Sequence, residues 1–216
     1  MRLQNEREQL VTYGKKLITS HLTTGSGGNL SILNREEGLV AITPSGMDYF
    51  TIQSDDIVVL DLDGNIVEGK RKPSSEWRFH LDLLKHRDNI SAVVHTHQVY
   101  ATTFACLNWE IPAVHYLVGF SGDKVPVAPY ATYGTQELSD NILKTIGDYN
   151  VVLLANHGLI AVGHNMERAF AAAEEIELVA QLYYQTKCIG QPVILNNEQM
   201  GEVLMSFQGY GQGKRK

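Results

Sequence analysis

Residues Val93 to Ala101 read V-V-H-T-H-Q-V-Y-A, an apolar run suited to a buried strand but carrying two imidazoles two residues apart. Successive side chains of a strand point to opposite faces, so His95 and His97 share one face and Thr96 takes the other. Burying two polar rings costs free energy unless each finds a partner. Either a divalent cation held by both rings or backbone carbonyls accepting from two core histidines satisfies them, and the spacing leaves both open.

Working outward, residues 5 to 22 place Leu10, Tyr13, Leu17 and Ile18 at helical spacing and predict an amphipathic helix ending before T-G-S-G-G-N at 24 to 29. Strands are predicted at 30–33, 39–43 and 57–62. A helix beginning near Ser74 or Ser75 carries Trp77, Leu81 and Leu84 inward, ahead of the His95 strand. Then come a short helical run at 99–107, strand-like segments at 113–118 and 125–129, and a helix capped by Thr135 with Glu137 in its first turn. Buried strands at 151–155 and 159–162 precede a long alanine-rich helix from Asn165 to Ile189. Consecutive strands early, mixed with helices, predict an α/β chain of α+β type, with a central, mainly antiparallel sheet covered by helices. No linker interrupts residues 1–216, which predicts a single domain.

The 216 residues are 44% hydrophobic and 19% charged with a formal charge of -6, and the pI is near 5.7. This composition supports a real core and argues against electrostatic capture of nucleic acid or an anionic membrane. The basic end G-K-R-K at 213–216 reads as a solvated terminus. Cys106 and Cys188 form no CxxC, so no disulfide framework or cysteine zinc site is expected, and both are expected to be buried thiols. The start M-R-L-Q-N-E-R-E-Q-L lacks an apolar signal region and no window reaches 18 apolar residues, which favours a cytoplasmic protein.

His21, His80, His86 and His164 read as surface or capping residues. His157 differs, because in L-L-A-N-H-G-L-I it ends a buried strand just before a glycine. Three neutral imidazoles with an open position form the pattern of a catalytic zinc site. P-S-S-E at 73–76 is either a capped helix whose glutamate complements the dipole, or a phosphate site with Glu76 beside it as general base. S-G-G-N at 26–29 and T-P-S-G at 43–46 are either ordinary turns or loops whose donors approach an oxyanion closely. With Ser74 and Ser75 they offer donors and almost no fixed cation, which suits a phosphate monoester held by hydrogen bonds.

The segments P-S-S-E-W-R-F-H, V-V-H-T-H, I-P-A-V-H-Y, A-P-Y-A-T-Y-G-T and N-H-G-L-I occur in an order that resembles the class II, metal-dependent aldolase and epimerase family nearly end to end. The resemblance implies one Zn2+ per subunit on His95, His97 and His157, with Glu76 as a ligand when no substrate is bound and as proton carrier when it is. It implies a phosphate cradle of Ser26, Gly27, Gly28, Asn29, Ser45, Gly46, Ser74 and Ser75. Tyr116 matches a tyrosine contributed across a subunit interface that handles the proton of the aldehyde oxygen. A mobile tail from about residue 205 would bring Phe207 and Tyr210 over the substrate, and Tyr133 would line the aldehyde pocket.

The activity so implied is zinc-dependent retro-aldol cleavage of L-fuculose 1-phosphate, or a related ketose 1-phosphate, to dihydroxyacetone phosphate and L-lactaldehyde. The reverse condensation and a homotetramer with interfacial sites come with it. Tyr133 stands where a family aldolase carries phenylalanine, and its extra hydroxyl bears on the preferred aldehyde; Ser26-Gly27 stand in the glycine loop where that aldolase carries threonine-alanine. The alternatives are a sugar-phosphate 4-epimerase of the L-ribulose 5-phosphate type, which tends to have aspartate where Glu76 stands, and a non-catalytic adaptor stapled by zinc.

Overall fold

The computed structural model describes residues 1–208, so Tyr210 lies outside the described residues. One sheet holds β1 (Asn29–Asn34), β2 (Leu39–Ile42), β3 (Val58–Asp61), β4 (Ile66–Glu68), β5 (Ala92–Thr96), β6 (Val127–Ala128), β7 (Val151–Leu154) and β8 (Gly158–Gly163). The strands lie in the order β4-β3-β2-β1-β5-β8-β7-β6, antiparallel throughout except that β6 runs parallel to β7. Among the described residues six α-helices accompany it: α1 (Gln4–Thr19), α2 (Trp77–His86), α3 (Val99–Leu107), α4 (Gln136–Ile146), α5 (Met166–Ile189) and α6 (Asn197–Gln208). No helix among the described residues is long and apolar enough to cross a membrane.

Strand alternation sorts the core into two halves. Ala92 and Val94 of β5, Leu153 of β7, and Leu159 and Ala161 of β8 pack on the face covered by α1, α3 and α5. Val93, Val152, Leu154, Ile160 and Val162 pack on the face covered by α2 and α4. A sheet covered on both faces needs apolar residues at every position, which is why β5, β7 and β8 read as unbroken apolar runs. Each large aliphatic side chain buried there contributes roughly 1.5–3 kcal/mol relative to exposure. The same alternation turns His95 toward the α2 face with Val93, where Phe79 meets its ring edge-on at 5.5 Å.

α1 buries Arg7, Leu10, Gly14 and Leu17 along one stripe. Gly14 leaves room for the ring of Tyr49, whose hydroxyl donates to the Gly28 carbonyl at 2.8 Å and so ties the helix to the glycine loop. Arg7 is 1% exposed and is neutralised by Glu68 at 3.0 Å, with its remaining donors on the Arg2, Ser54 and Ile57 carbonyls.

Several sequence expectations change here. Residues 113–118 are not a strand: after Pro112 the chain turns into a 3-10 turn at Tyr116–Phe120, where His115 Nδ1 accepts from the Leu117 amide at 3.4 Å. The 125–129 strand shrinks to β6 because Pro126 and Pro129 flank it without N–H groups to donate. α2 begins at Trp77 rather than near Ser74 or Ser75, and α1 ends at Thr19 rather than residue 22. Cys106 and Cys188 are exposed, since α3 and α5 turn those faces outward. β4 and α6 were not expected.

Candidate metal centre

Strand register assembles the site. Asn29 of β1 pairs with His95 of β5, while His95 pairs with Ile160 and Thr96 with Leu159 of β8. His97, just past the end of β5, and His157, just before β8, therefore meet at the same end of this strand pair. Ligand nitrogens of His95, His97 and His157 all lie within 4.8 Å of one another, and the Nε2 atoms of His95 and His97 face each other at 3.0 Å. His95 Nδ1 donates to the Leu159 carbonyl at 3.0 Å, which fixes the ring and aims Nε2 into the cluster.

Glu76 arrives from the start of α2. Its Oε2 is 3.3 Å from His95 Nε2 and its Oε1 3.4 Å from His157 Nε2. The preceding loop is stitched to the T-P-S-G turn: the Ser74 amide donates to the Thr43 carbonyl at 3.0 Å and the Ser45 amide to the Lys72 carbonyl at 3.1 Å. Ser74 Oγ accepts from the Glu76 amide at 3.2 Å. The Glu76 side chain occupies the N-cap position without capping α2, being turned to the imidazoles instead.

Burial alone would push the Glu76 carboxyl up, but the charge and hydrogen bond of His95, then His157 and Asn29, outweigh it and hold the carboxyl well below the usual range. His97 and His157 are pulled down to about 4, first by burial and then by the charge at His95, and so stay neutral near pH 7. Burial also lowers His95, but the charge and hydrogen bond of Glu76 with the Leu159 carbonyl raise it above the ordinary value. Its surroundings favour a positive centre at that point. Neutral imidazoles, an anionic carboxylate and a buried Glu76 Oε1 with no hydrogen-bond partner are a donor set that fits a divalent cation.

The glycine loop lies directly against this cluster. A side chain at Gly27 would meet Thr23 Oγ1 at 2.7 Å and His97 Nδ1 at 3.0 Å; one at Gly28, where φ is +70°, would meet the His95 carbonyl at 2.6 Å. Ser26, Ser45, Gly46 and Ser75 are exposed, and Ser26 and Gly46 line one depression with Asp48 and Phe50. Asn29, also expected in the phosphate cradle, directs its side-chain nitrogen to Glu76 Oε2 at 2.8 Å.

Tyr116 and Tyr133 come from two other segments. The Tyr116 ring packs against His115 at 4.6 Å and Phe207 at 6.3 Å, in the 3-10 turn that contacts α5 and α6. Tyr133 is exposed, on a loop laid over the start of α2: Arg78 Nη1 donates to the Gly134 carbonyl at 2.8 Å, and a Cβ at Gly134 would stand 2.7 Å from the Ser75 carbonyl.

His80 is a correction. It is fully buried between Ser31 Oγ at 2.7 Å and Asn29 Oδ1 at 2.6 Å, and burial pulls it down to about 3. The signal was present, because a helix starting near Glu76 brings position 80 onto the same face. Glu177 was also missed; its carboxylate accepts from the Tyr100 and Ala101 amides, both at 2.9 Å, at the start of α3 just beyond His97.

Residues 8–184 match the Class II Aldolase and Adducin N-terminal domain family, and the chain belongs to that family, as an aldolase-type lyase. It is 54% identical over 212 residues to the 5-deoxy-D-ribulose 1-phosphate aldolase of Bacillus thuringiensis serovar kurstaki, covering 98% of this chain and 100% of that protein. It is 42% identical to the L-fuculose phosphate aldolase of Escherichia coli K12, covering 88% of each chain. A solved structure described as L-fuculose 1-phosphate aldolase superposes with a TM-score of 0.94 at 48% identity, covering 96% of this chain and 98% of the other.

Proposed function

We propose that the protein is a zinc-dependent ketose 1-phosphate aldolase, releasing dihydroxyacetone phosphate and a short aldehyde and catalysing the reverse condensation. The observation that carries this is the convergence of His95, His97 and His157 on Glu76, whose buried Oε1 has no hydrogen-bond partner. The relative of greatest identity given above supports 5-deoxy-D-ribulose 1-phosphate as the substrate, with acetaldehyde as the second product. L-fuculose 1-phosphate, giving L-lactaldehyde, is the second reading and is favoured by the superposed structure.

His95, His97 and His157 would hold a divalent cation, which would supply Lewis acidity at the ketose carbonyl. Backbone and hydroxyl donors of Ser26, Gly27, Gly28, Ser45, Gly46, Ser74 and Ser75 hold the phosphate. In condensation Glu76 takes a proton from the hydroxymethyl carbon of dihydroxyacetone phosphate, and in cleavage it returns a proton to that carbon. Tyr116 from a neighbouring subunit donates to the aldehyde oxygen in condensation and takes that proton back in cleavage. Tyr133 bounds the aldehyde pocket, and Phe207 with Tyr210 closes it. This division of labour requires an oligomer, and the reading takes it as a homotetramer; sedimentation showing a fully active monomer would contradict it.

The test measures dihydroxyacetone phosphate released from 5-deoxy-D-ribulose 1-phosphate, L-fuculose 1-phosphate and L-ribulose 5-phosphate. Release is expected from the first two, faster from the first, and not from the third. Turnover of L-ribulose 5-phosphate without triose release would make the protein an epimerase instead. Glu76→Gln is expected to lower kcat by about 10²–10⁴-fold; undiminished turnover would leave the metal a structural staple.

A further inference from the structure

We propose that Ser31 and His80 act through Asn29 as a positioning relay that sets which oxygen of Glu76 is free to handle the proton. The inference rests on the assignment of Glu76 as proton carrier. Ser31 and His80 are fully buried, and Asn29 and Glu76 are each 6% exposed, so their hydrogen bonds are not exchanged with water. The links run Ser31 Oγ to His80 Nδ1 at 2.7 Å, His80 Nε2 to Asn29 Oδ1 at 2.6 Å and Asn29 Nδ2 to Glu76 Oε2 at 2.8 Å.

Chemistry gives this chain a single direction. A carboxylate only accepts, so Asn29 must present its N–H₂ to Glu76 and its carbonyl oxygen to His80. An amide oxygen also only accepts, so His80 must carry its proton on Nε2. A neutral ring then has a bare Nδ1, and the Ser31 hydroxyl must donate to it. With the opposite tautomer at His80 the amide would turn over, two acceptors would face each other at 2.8 Å, and Glu76 would be pushed from the imidazoles. Because Oε2 is already engaged by Asn29, Oε1, which makes no hydrogen bond, is the oxygen left to receive the proton.

The placement has a structural cause. Asn29 and Ser31 are two residues apart on β1 and so share the face turned to α2, where His80 stands one helical turn after Glu76. Neither Ser31 nor His80 touches the imidazole cluster through a hydrogen bond of its own. Their hydrogen-bonded link to Glu76 runs through the Asn29 amide.

The experiment compares the metal-loaded enzyme with His80→Gln, with the pair His80→Phe and Ser31→Ala, and with Glu76→Gln. The pair removes the two members of the relay behind Asn29 and is expected to lower kcat about 10-fold or more, with KM and metal per subunit unchanged. His80→Gln keeps an N–H for the Asn29 oxygen and is expected to retain most of kcat. Long-range proton–nitrogen spectra of the unsubstituted enzyme are expected to place the His80 proton on Nε2, a readout that stands even where the paired variant fails to fold. Unchanged kcat in the pair, or a proton on Nδ1, overturns the relay. If Glu76→Gln loses turnover and the pair does not, the relay is wrong while the aldolase reading stands; if Glu76→Gln keeps full turnover, the aldolase reading itself fails.

Discussion

At Gly28 the glycine loop and the strand bearing His95 approach so closely that no side chain fits. The residue has φ +70°, and a Cβ would stand 2.6 Å from the His95 carbonyl. Left-handed backbone alone costs a non-glycine residue about 1–2 kcal/mol, and the clash displaces the pairing of Asn29 with His95. Gly28→Ala is therefore expected to lower both the urea midpoint and the affinity for added metal; a variant matching the unsubstituted protein in both would refute this. His95 and His97 were legible because a period of two overrides composition, and His157 because a strand ended at it before a glycine. His80 was legible only in part: its helical spacing from Glu76 was a signal, but its partners Ser31 and Asn29 lie 49 and 51 residues away along the chain. Phe79 and Leu81 flank it on the helix, and what its ring bonds to is fixed only once the strand beneath it is known.

The element that best shows how the site is braced is α3. Its N-cap Gln98 makes no side-chain cap; it is fully buried, accepting from Thr96 Oγ1 at 2.7 Å and donating to the Ala173 carbonyl at 2.9 Å. The orphan amides of the first turn go instead to Glu177 of α5, a charge placed favourably at a helix N-terminus. Glu177→Gln is expected to cost about 1 kcal/mol, read as a lower thermal midpoint; an unchanged midpoint would show that the cap contributes nothing. Long elements were legible because burial imposes a pattern over many residues: the apolar runs of β5, β7 and β8, and the alanine-rich α5. Segment 113–118 misled because its apolar residues pack from a 3-10 turn rather than a ladder. α6 carried a signal that was passed over, a reciprocal capping box in which Asn196 and Gln199 bond each other's amides at 2.9 Å.

For the molecule as a whole, the buried polar cluster where His95, His97, His157 and Glu76 meet couples folding to pH. His97 and His157 are depressed to about 4 and His80 to about 3, against about 6.5 in an unfolded chain. Between those values the unfolded chain binds more protons, so stability is complete above about pH 6.5 and falls as the pH drops toward 4. His95, shifted upward, opposes this in part; Glu76, shifted downward, adds its own loss at lower pH. Urea midpoints at pH 5 are expected below those at pH 7.5, and equal midpoints would contradict buried neutral imidazoles. Acid also frees the metal, because its ligands must be deprotonated. The claim that the imidazole cluster holds the working metal is tested most directly by stripping the enzyme with a chelator, restoring zinc in steps, and following dihydroxyacetone phosphate release from 5-deoxy-D-ribulose 1-phosphate. Activity is predicted to vanish on stripping and return in proportion to zinc bound, reaching its limit at one ion per subunit; undiminished turnover by the metal-free protein would contradict the account.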